Sequence, residues 1–292
     1  MIDLIPYFLN GLIVGSIYGL ITIGLSFIFG ILKVINVAHG SFVMLGAYIA
    51  YFFFVLWAYP PLVSVFAGLA IGALAGFALY YAVIKPLRKA GEMHVLVALF
   101  ALGSLMAELA RIVWGPNVVG FTWNIGSISV SGYVVQLSQL LGAIAALIIA
   151  LALQLILYRT SFGRAVRAVV QDPVGAQIVG INVERVFVVS TAIGIALTTA
   201  GGVLLTLFIP VGINPYMGDP YTLMAFVIAV MGGLESTMGA YVAGLIFGEI
   251  LSLGYPLFRL LGFAAPYQMS LFVGFVILVL FLLFRPSGLF RV

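Results

Sequence analysis

Nine stretches of this chain run for a dozen to two dozen residues almost without charge, and no other feature limits its fold so strongly. They fall at about 7–30, 39–58, 62–84, 93–113, 136–157, 186–208, 221–232, 238–256 and 267–284. A helix rises about 1.5 Å per residue, so roughly 20 apolar residues cross the ~30 Å hydrocarbon layer of a bilayer. Inside that layer every backbone amide needs an internal partner, which leaves helices or closed barrels. The runs do not alternate between polar and apolar residues, and this selects helices. The 221–232 run is too short to cross alone, and Gly232, Gly233 and Gly239 predict a broken or re-entrant helix there. The expectation is an all-α polytopic membrane protein with about 8–10 transmembrane helices in a single domain over residues 1–292.

Composition excludes the soluble alternatives. Of 292 residues, 64% are hydrophobic and 7% charged, too little polar surface to enclose a water-soluble core. A cytosolic enzyme, a DNA-binding domain and a secreted module are thereby ruled out. The net charge of +4 sits in short basic clusters between apolar runs rather than in a stripe, so it suits a lipid bilayer surface and not nucleic acid. With no cysteine there is no disulfide, thiolate nucleophile or thiolate metal site, and His39 and His94 alone do not make a zinc site. No G-x-x-x-x-G-K-[ST], H-E-x-x-H or G-x-S-x-G occurs, so any energy source is expected from another chain or a gradient. The first run is longer than a signal-peptide core and has no basic stretch before it, so it reads as a retained helix.

Basic residues resist translocation, which sets the expected orientation. Lys33, Lys85, Arg88, Lys89, Arg159, Arg164, Arg167, Arg185, Arg285 and Arg291 all follow odd-numbered runs or the end of the chain; only Arg111 and Arg259 do not. If their loops are cytoplasmic, the N-terminus with Asp3 is outside and the C-terminus inside, provided that 221–232 counts as a crossing.

Small residues recur at four-residue spacing in Gly11-Gly15-Gly19, Gly68-Gly72-Gly76 and Ala240-Gly244-Gly248, where helix backbones can approach closely. Glu108 and Arg111, three apart, are expected to pair. Glu249 stands in mid-run with no basic residue a turn away; it is expected to face the bundle interior or a polar cavity, as part of a solute pathway, in an interhelical hydrogen bond or at an interfacial position. Asn36, His39 and Ser41 open the second run. Asn36 or Ser41 can cap the helix that follows, and Asn36 and His39 are also candidates for a pathway or gate.

The polar loop at 159–185 reads as two short helices. Asp172 is a good N-cap with Pro173 at the first helical position, Gly180 can take the left-handed conformation that ends the helix, and Asn182 caps the next span with Glu184 in its first turn. A short helix, small and apolar on one side, either fits a groove on a partner or serves as an interfacial connector.

The order Gly163-Arg164-Ala165, Arg167-Ala168, Gln171-Asp172, Ala176 and Gly180-Ile181-Asn182 resembles the cytoplasmic coupling loop of branched-chain amino acid ABC transporter permeases of the LivH type. Ile35-Asn36-Val37-Ala38-His39-Gly40-Ser41 with Leu45-Gly46-Ala47-Tyr48 is similar to the N-terminal signature of that family. Gly212-Ile213-Asn214-Pro215-Tyr216-Met217-Gly218, Val230-Met231-Gly232-Gly233-Leu234-Glu235-Ser236 and Arg285-Pro286-Ser287-Gly288-Leu289-Phe290 match its later landmarks in order. The Glu-Ala-Ala of the wider importer motif is replaced by Gly175-Ala176-Gln177.

The resemblance implies a permease domain in the inner membrane of a prokaryote and a coupling role for Gly163, Arg164, Arg167, Asp172, Ala176 and Gly180. It implies four kinds of partner: the bilayer, a second related permease, two cytoplasmic ATPases and an extracytoplasmic solute-binding protein. ATP and Mg would be bound by the ATPases and no cofactor by this chain, which would work by alternating access. Permeases of this appearance also serve urea and short amides, and a stand-alone carrier or channel is the alternative from another class.

Overall fold

The structure is a computed structural model, and it describes residues 4–130, 133–209, 211–285 and 288–290. Asp3, Pro286, Ser287 and Arg291, which entered the sequence reading, lie outside them. Helix α1 (Ile5–Leu32) has Pro6 in its first turn, where a missing N–H costs nothing, and ends as Lys33 turns left-handed at φ 57°. There follow α2 (His39–Trp57), α3 (Pro61–Leu79), a π turn (Tyr80–Ile84), α4 (Lys85–Leu87), a 3-10 turn (Arg88–Ala90) and α5 (Glu92–Trp114). The second half holds α6 (Leu137–Arg159), α7 (Ser161–Gln171), α8 (Pro173–Ile178), α9 (Val183–Leu205), α10 (Gly218–Gly232), α11 (Thr237–Leu260) and α12 (Pro266–Phe284).

Eight helical segments among the described residues are long and apolar enough to cross a membrane: α1, α2, α3 with its extension to Ala90, α5, α6, α9, α11 and α12. The 15 residues of α10 rise only about 22 Å, and the chain breaks at Gly233, φ 101°, before α11 begins. The interrupted helix expected near 221–232 is therefore present, starting at Gly218. The third run reaches further than expected. Its π turn carries the helix to Ala90, so that Lys85 pairs with Glu184 in the first turn of α9 and the Arg88 guanidinium lies 4.1 Å from the Phe187 ring centre.

The segment at 114–135, in which no element was expected, forms two small ribbons. Strand β1 (Val119–Gly120) pairs antiparallel with β4 (Val211–Ile213), and β2 (Ser127–Val130) with β3 (Tyr133–Gln136). Strands of two to four residues are too short for an alternating pattern to register in the sequence.

Helices α1 and α9 form the centre, with 72% and 83% of their most apolar windows buried, whereas α5 and α12 at 17% form the outside. In lipid the helices gain little by hiding apolar surface from one another, so close contact through small residues holds them. The stripes do this. A Cβ on Gly15 would lie 2.8 Å from the Gly244 carbonyl oxygen of α11, and one on Gly72 2.8 Å from Ala196 Cα of α9. The hydroxyls of Thr191, Thr198 and Thr199 donate to carbonyls one turn back at 2.8–2.9 Å, so α9 runs through the core without leaving them unpaired.

Candidate transport site

Between α1 and α2 the chain turns back into the bundle before a new helix begins. His39, the first residue of α2, is fully buried; its Nε2–H donates to the Ile21 carbonyl of α1 at 3.0 Å, and Nδ1 lies 3.5 Å from the Thr198 hydroxyl of α9. Ile21 is roughly 16 Å of helix rise from the Leu32 end of α1, and Thr198 roughly 10 Å from the Leu205 end of α9, so α2 starts inside the bundle. His39 thus ties three helices together.

The expected caps are not made. No side chain caps α2; Ser41 Oγ instead donates to the Gly103 carbonyl of α5 at 3.3 Å, and the free Gly40 N–H is met by Thr222 Oγ1 of α10 at 2.8 Å. Tertiary partners have taken over the work of a local cap. Gly40 permits this meeting, since a Cβ there would sit 1.9 Å from the Gly218 carbonyl oxygen. The N-terminal ends of α2 and α10 therefore touch backbone to backbone.

Asn36 lies beside this junction, 1% exposed, and neither its Oδ1 nor its Nδ2 has a hydrogen-bond partner. It lines a cavity of about 480 Å³ together with Leu25 of α1, Phe100 and Ser104 of α5, and Asp219 and Phe226 of α10. Glu249 is elsewhere: its carboxylate packs against Gly11 at the contact between α1 and α11, and both oxygens are buried without a partner. The interhelical hydrogen bond considered for it is not made among the described residues. Asn36, His39 and Glu249 therefore have three different environments, and only Asn36 opens on this cavity.

Sequence reasoning missed Asp219, Phe100, Ser104 and Thr222, because apolar or hydroxyl residues in a span look the same whether they face lipid, protein or a cavity. Asp219 alone carried a signal, a charge at the start of an interrupted helix. The expected Glu108–Arg111 pair is present at 2.6 Å, and Tyr216 OH donates to the same carboxylate at 2.8 Å. That hydrogen bond holds the Tyr216 phenol above its ordinary pKa.

Where α1 ends and α9 begins, the short helices pack on the bundle. A Cβ on Gly163 would lie 1.9 Å from the Leu157 carbonyl oxygen, to which Arg167 also donates at 2.5 Å; Val166 and Val169 are buried while Arg164 is exposed. Nearby, Lys33 pairs with Glu235 at 2.5 Å. Asp172 Oδ1 accepts from Val174 N at 2.9 Å, capping α8 as expected. At its other end Gly180 N donates to Gln177 O and Ile181 N to Ala176 O, with Gly180 at φ 84°, the paired bonds of a Schellman turn. Asn182 Oδ1 caps α9 through Arg185 N.

Ala176 is 3% exposed and packs inward, so it seats α8 rather than presenting it. The outward apolar surface is made by Val174, Ile178 and Val179, 67%, 82% and 74% exposed, none of which the sequence reading had singled out.

A bundle with eight helices long and apolar enough to cross a bilayer, and a largely apolar cavity opening between them, defines a polytopic membrane protein. The chain matches the family "Branched-chain amino acid transport system / permease component" over residues 7–282, and it belongs to that family. It is 31% identical over 294 residues to the high-affinity branched-chain amino acid transport system permease protein BraD of Pseudomonas aeruginosa, covering 96% of this chain and 93% of BraD. It is 30% identical over 299 residues, with the same coverage, to the corresponding LivH of Escherichia coli K12. A fructose import permease protein, FrcC of Rhizobium meliloti, is 26% identical over 84% of this chain and 68% of its own length. No solved structure matches the chain significantly. The chain is a multi-pass transport subunit and not an enzyme.

Proposed function

We propose that this chain is the permease subunit of an ATP-driven importer for branched-chain or related neutral amino acids. In this reading it pairs with a second, related permease, two ATPases grip it from the cytosol, and an extracytoplasmic binding protein delivers the solute. ATP and Mg belong to the ATPases. It lies in the inner membrane with its N-terminus outside and its C-terminus inside, and ATPase opening and closing bias two packings of the bundle.

The observation that carries the reading is α8. Three neighbouring exposed apolar side chains on a stub capped at both ends fit a groove on a partner protein. Arg164 and Arg167 beside it keep this end of the molecule basic, as cytoplasmic loops are.

The test is purification through a tag on this chain, followed by uptake of labelled leucine into proteoliposomes. We expect two ATPases and a second permease to accompany it, with uptake strictly dependent on ATP and the binding protein. Ile178→Asp should abolish co-purification of the ATPases while the bundle stays folded. Leucine flux without ATPase subunits or ATP would establish a stand-alone carrier instead, and ATP-driven uptake of urea but not leucine would reassign the solute.

A further inference from the structure

The importer reading leaves open where the solute is held inside this chain. We propose that the cavity beside Asn36 is that place, and that it is built for a zwitterionic α-amino acid with an apolar side chain; the proposal rests on the importer reading above.

The argument starts from Asn36. A buried carboxamide with neither atom bonded is a standing cost in a folded protein, and it is answered when something polar enters the cavity that it lines. It offers N–H donors and a carbonyl acceptor together, which suits a solute with a carboxylate and an ammonium on one carbon. The Thr222 hydroxyl of α10 lines the same cavity and accepts from Gly40 N–H, so its own proton is left to donate to a carboxylate. Asp219, the only charged residue of the lining, supplies the opposite charge for an ammonium.

Two of the three hydroxyls around the cavity have their protons engaged. Ser41 donates to Gly103 O, Ser104 to Phe100 O, and Thr222 accepts from Gly40 N. Polar recognition thus rests on Asn36, Asp219 and Thr222, while Leu25, Leu96, Phe100 and Phe226 form an apolar wall. A sugar, with hydroxyls on every side, would find too few free partners. An anion would meet Asp219 and no cationic side chain of the lining. The volume of about 480 Å³ is in the range of small-molecule sites.

The experiment compares the tagged complex in proteoliposomes with its Asn36→Leu and Asp219→Asn forms, using labelled leucine. Asn36→Leu keeps the branched shape and the number of side-chain heavy atoms and should lower leucine uptake about tenfold, because polar groups of the solute lose their partner. A side chain with a purely structural role would lower the melting temperature; here it should stay or rise, and ATP hydrolysis stimulated by the binding protein should persist. Asp219→Asn should lower leucine uptake about tenfold, and uptake equal to the parent's overturns the assignment of Asp219 to the ammonium. Should Asn36→Leu not assemble, Asn36→Ser is judged on the same scale. A loss under fivefold, or one matched by equal falls in melting temperature and stimulated ATP hydrolysis, overturns the proposal. A parent complex that moves no leucine on ATP overturns the importer reading and this proposal with it.

Discussion

Gly40 and Glu249 present opposite problems in one apolar bundle. At Gly40 the side chain is excluded by geometry: a Cβ would lie 1.9 Å from the Gly218 carbonyl oxygen, which belongs to backbone and has nowhere to go. Gly40→Ala should therefore separate α2 from α10 and cost about 3 kcal/mol, the upper end of overpacking, read as a lower melting temperature in detergent. A melting temperature equal to the parent's would show that the two helix ends do not touch. At Glu249 a carboxylate is retained against Gly11 with neither oxygen bonded. Burying a carboxyl with no hydrogen-bond partner is expensive whichever form it takes, so Glu249→Gln should keep the shape and leave the bundle as stable or more so. A clear loss of stability would mean that the carboxyl has a partner in the assembled transporter. The sequence singled out Glu249, and Gly40 only within the motif that opens the second run. It did not say what either touches, because their neighbours, Gly218 and Gly11, lie far away along the chain.

The element most exposed to test is α8. Its six residues are too few to be helical alone, so the caps carry much of its order. Asp172→Ala removes the bond to Val174 N and should cost about 1 kcal/mol of local stability. Gly180→Ala puts a side chain where φ is 84° and should cost about as much. Faster amide exchange confined to residues 173–181 would register both, with weaker retention of the ATPases as the functional consequence. Unchanged exchange would show that packing of Ala176, not the caps, holds the stub. The caps were legible in advance because Asp-Pro and Gly act within a turn of where they stand. Which side of α8 faces out was not, since six residues are consistent with either side until the bundle supplies a surface to bury Ala176. The same limit explains the missed caps of α2: local candidates existed, and Thr222, which is remote in sequence, did the work.

For the whole molecule the natural lack of cysteine is an experimental opening, because a single introduced thiol can be labelled without background. Ile125 and Ile178 are both exposed, in the α5–α6 connection and on α8. In intact cells a membrane-impermeant maleimide should label Ile125→Cys at once and Ile178→Cys only after permeabilisation; the reverse pattern would overturn the orientation proposed here. Spans, small-residue stripes, the interrupted helix near 221–232 and the capped stub were all determined by the sequence alone, because each depends on residues within a few turns of one another and on the requirement that lipid leaves no backbone group unpaired. The tertiary structure alone decided that α1 and α9 are central, that α2 and α10 meet end to end, and that Asn36 opens on a cavity shared with Asp219 and Phe100. These depend on which helices lie side by side, and in a chain where nearly every face is apolar, hydrophobicity does not distinguish a face toward lipid from one toward a neighbour.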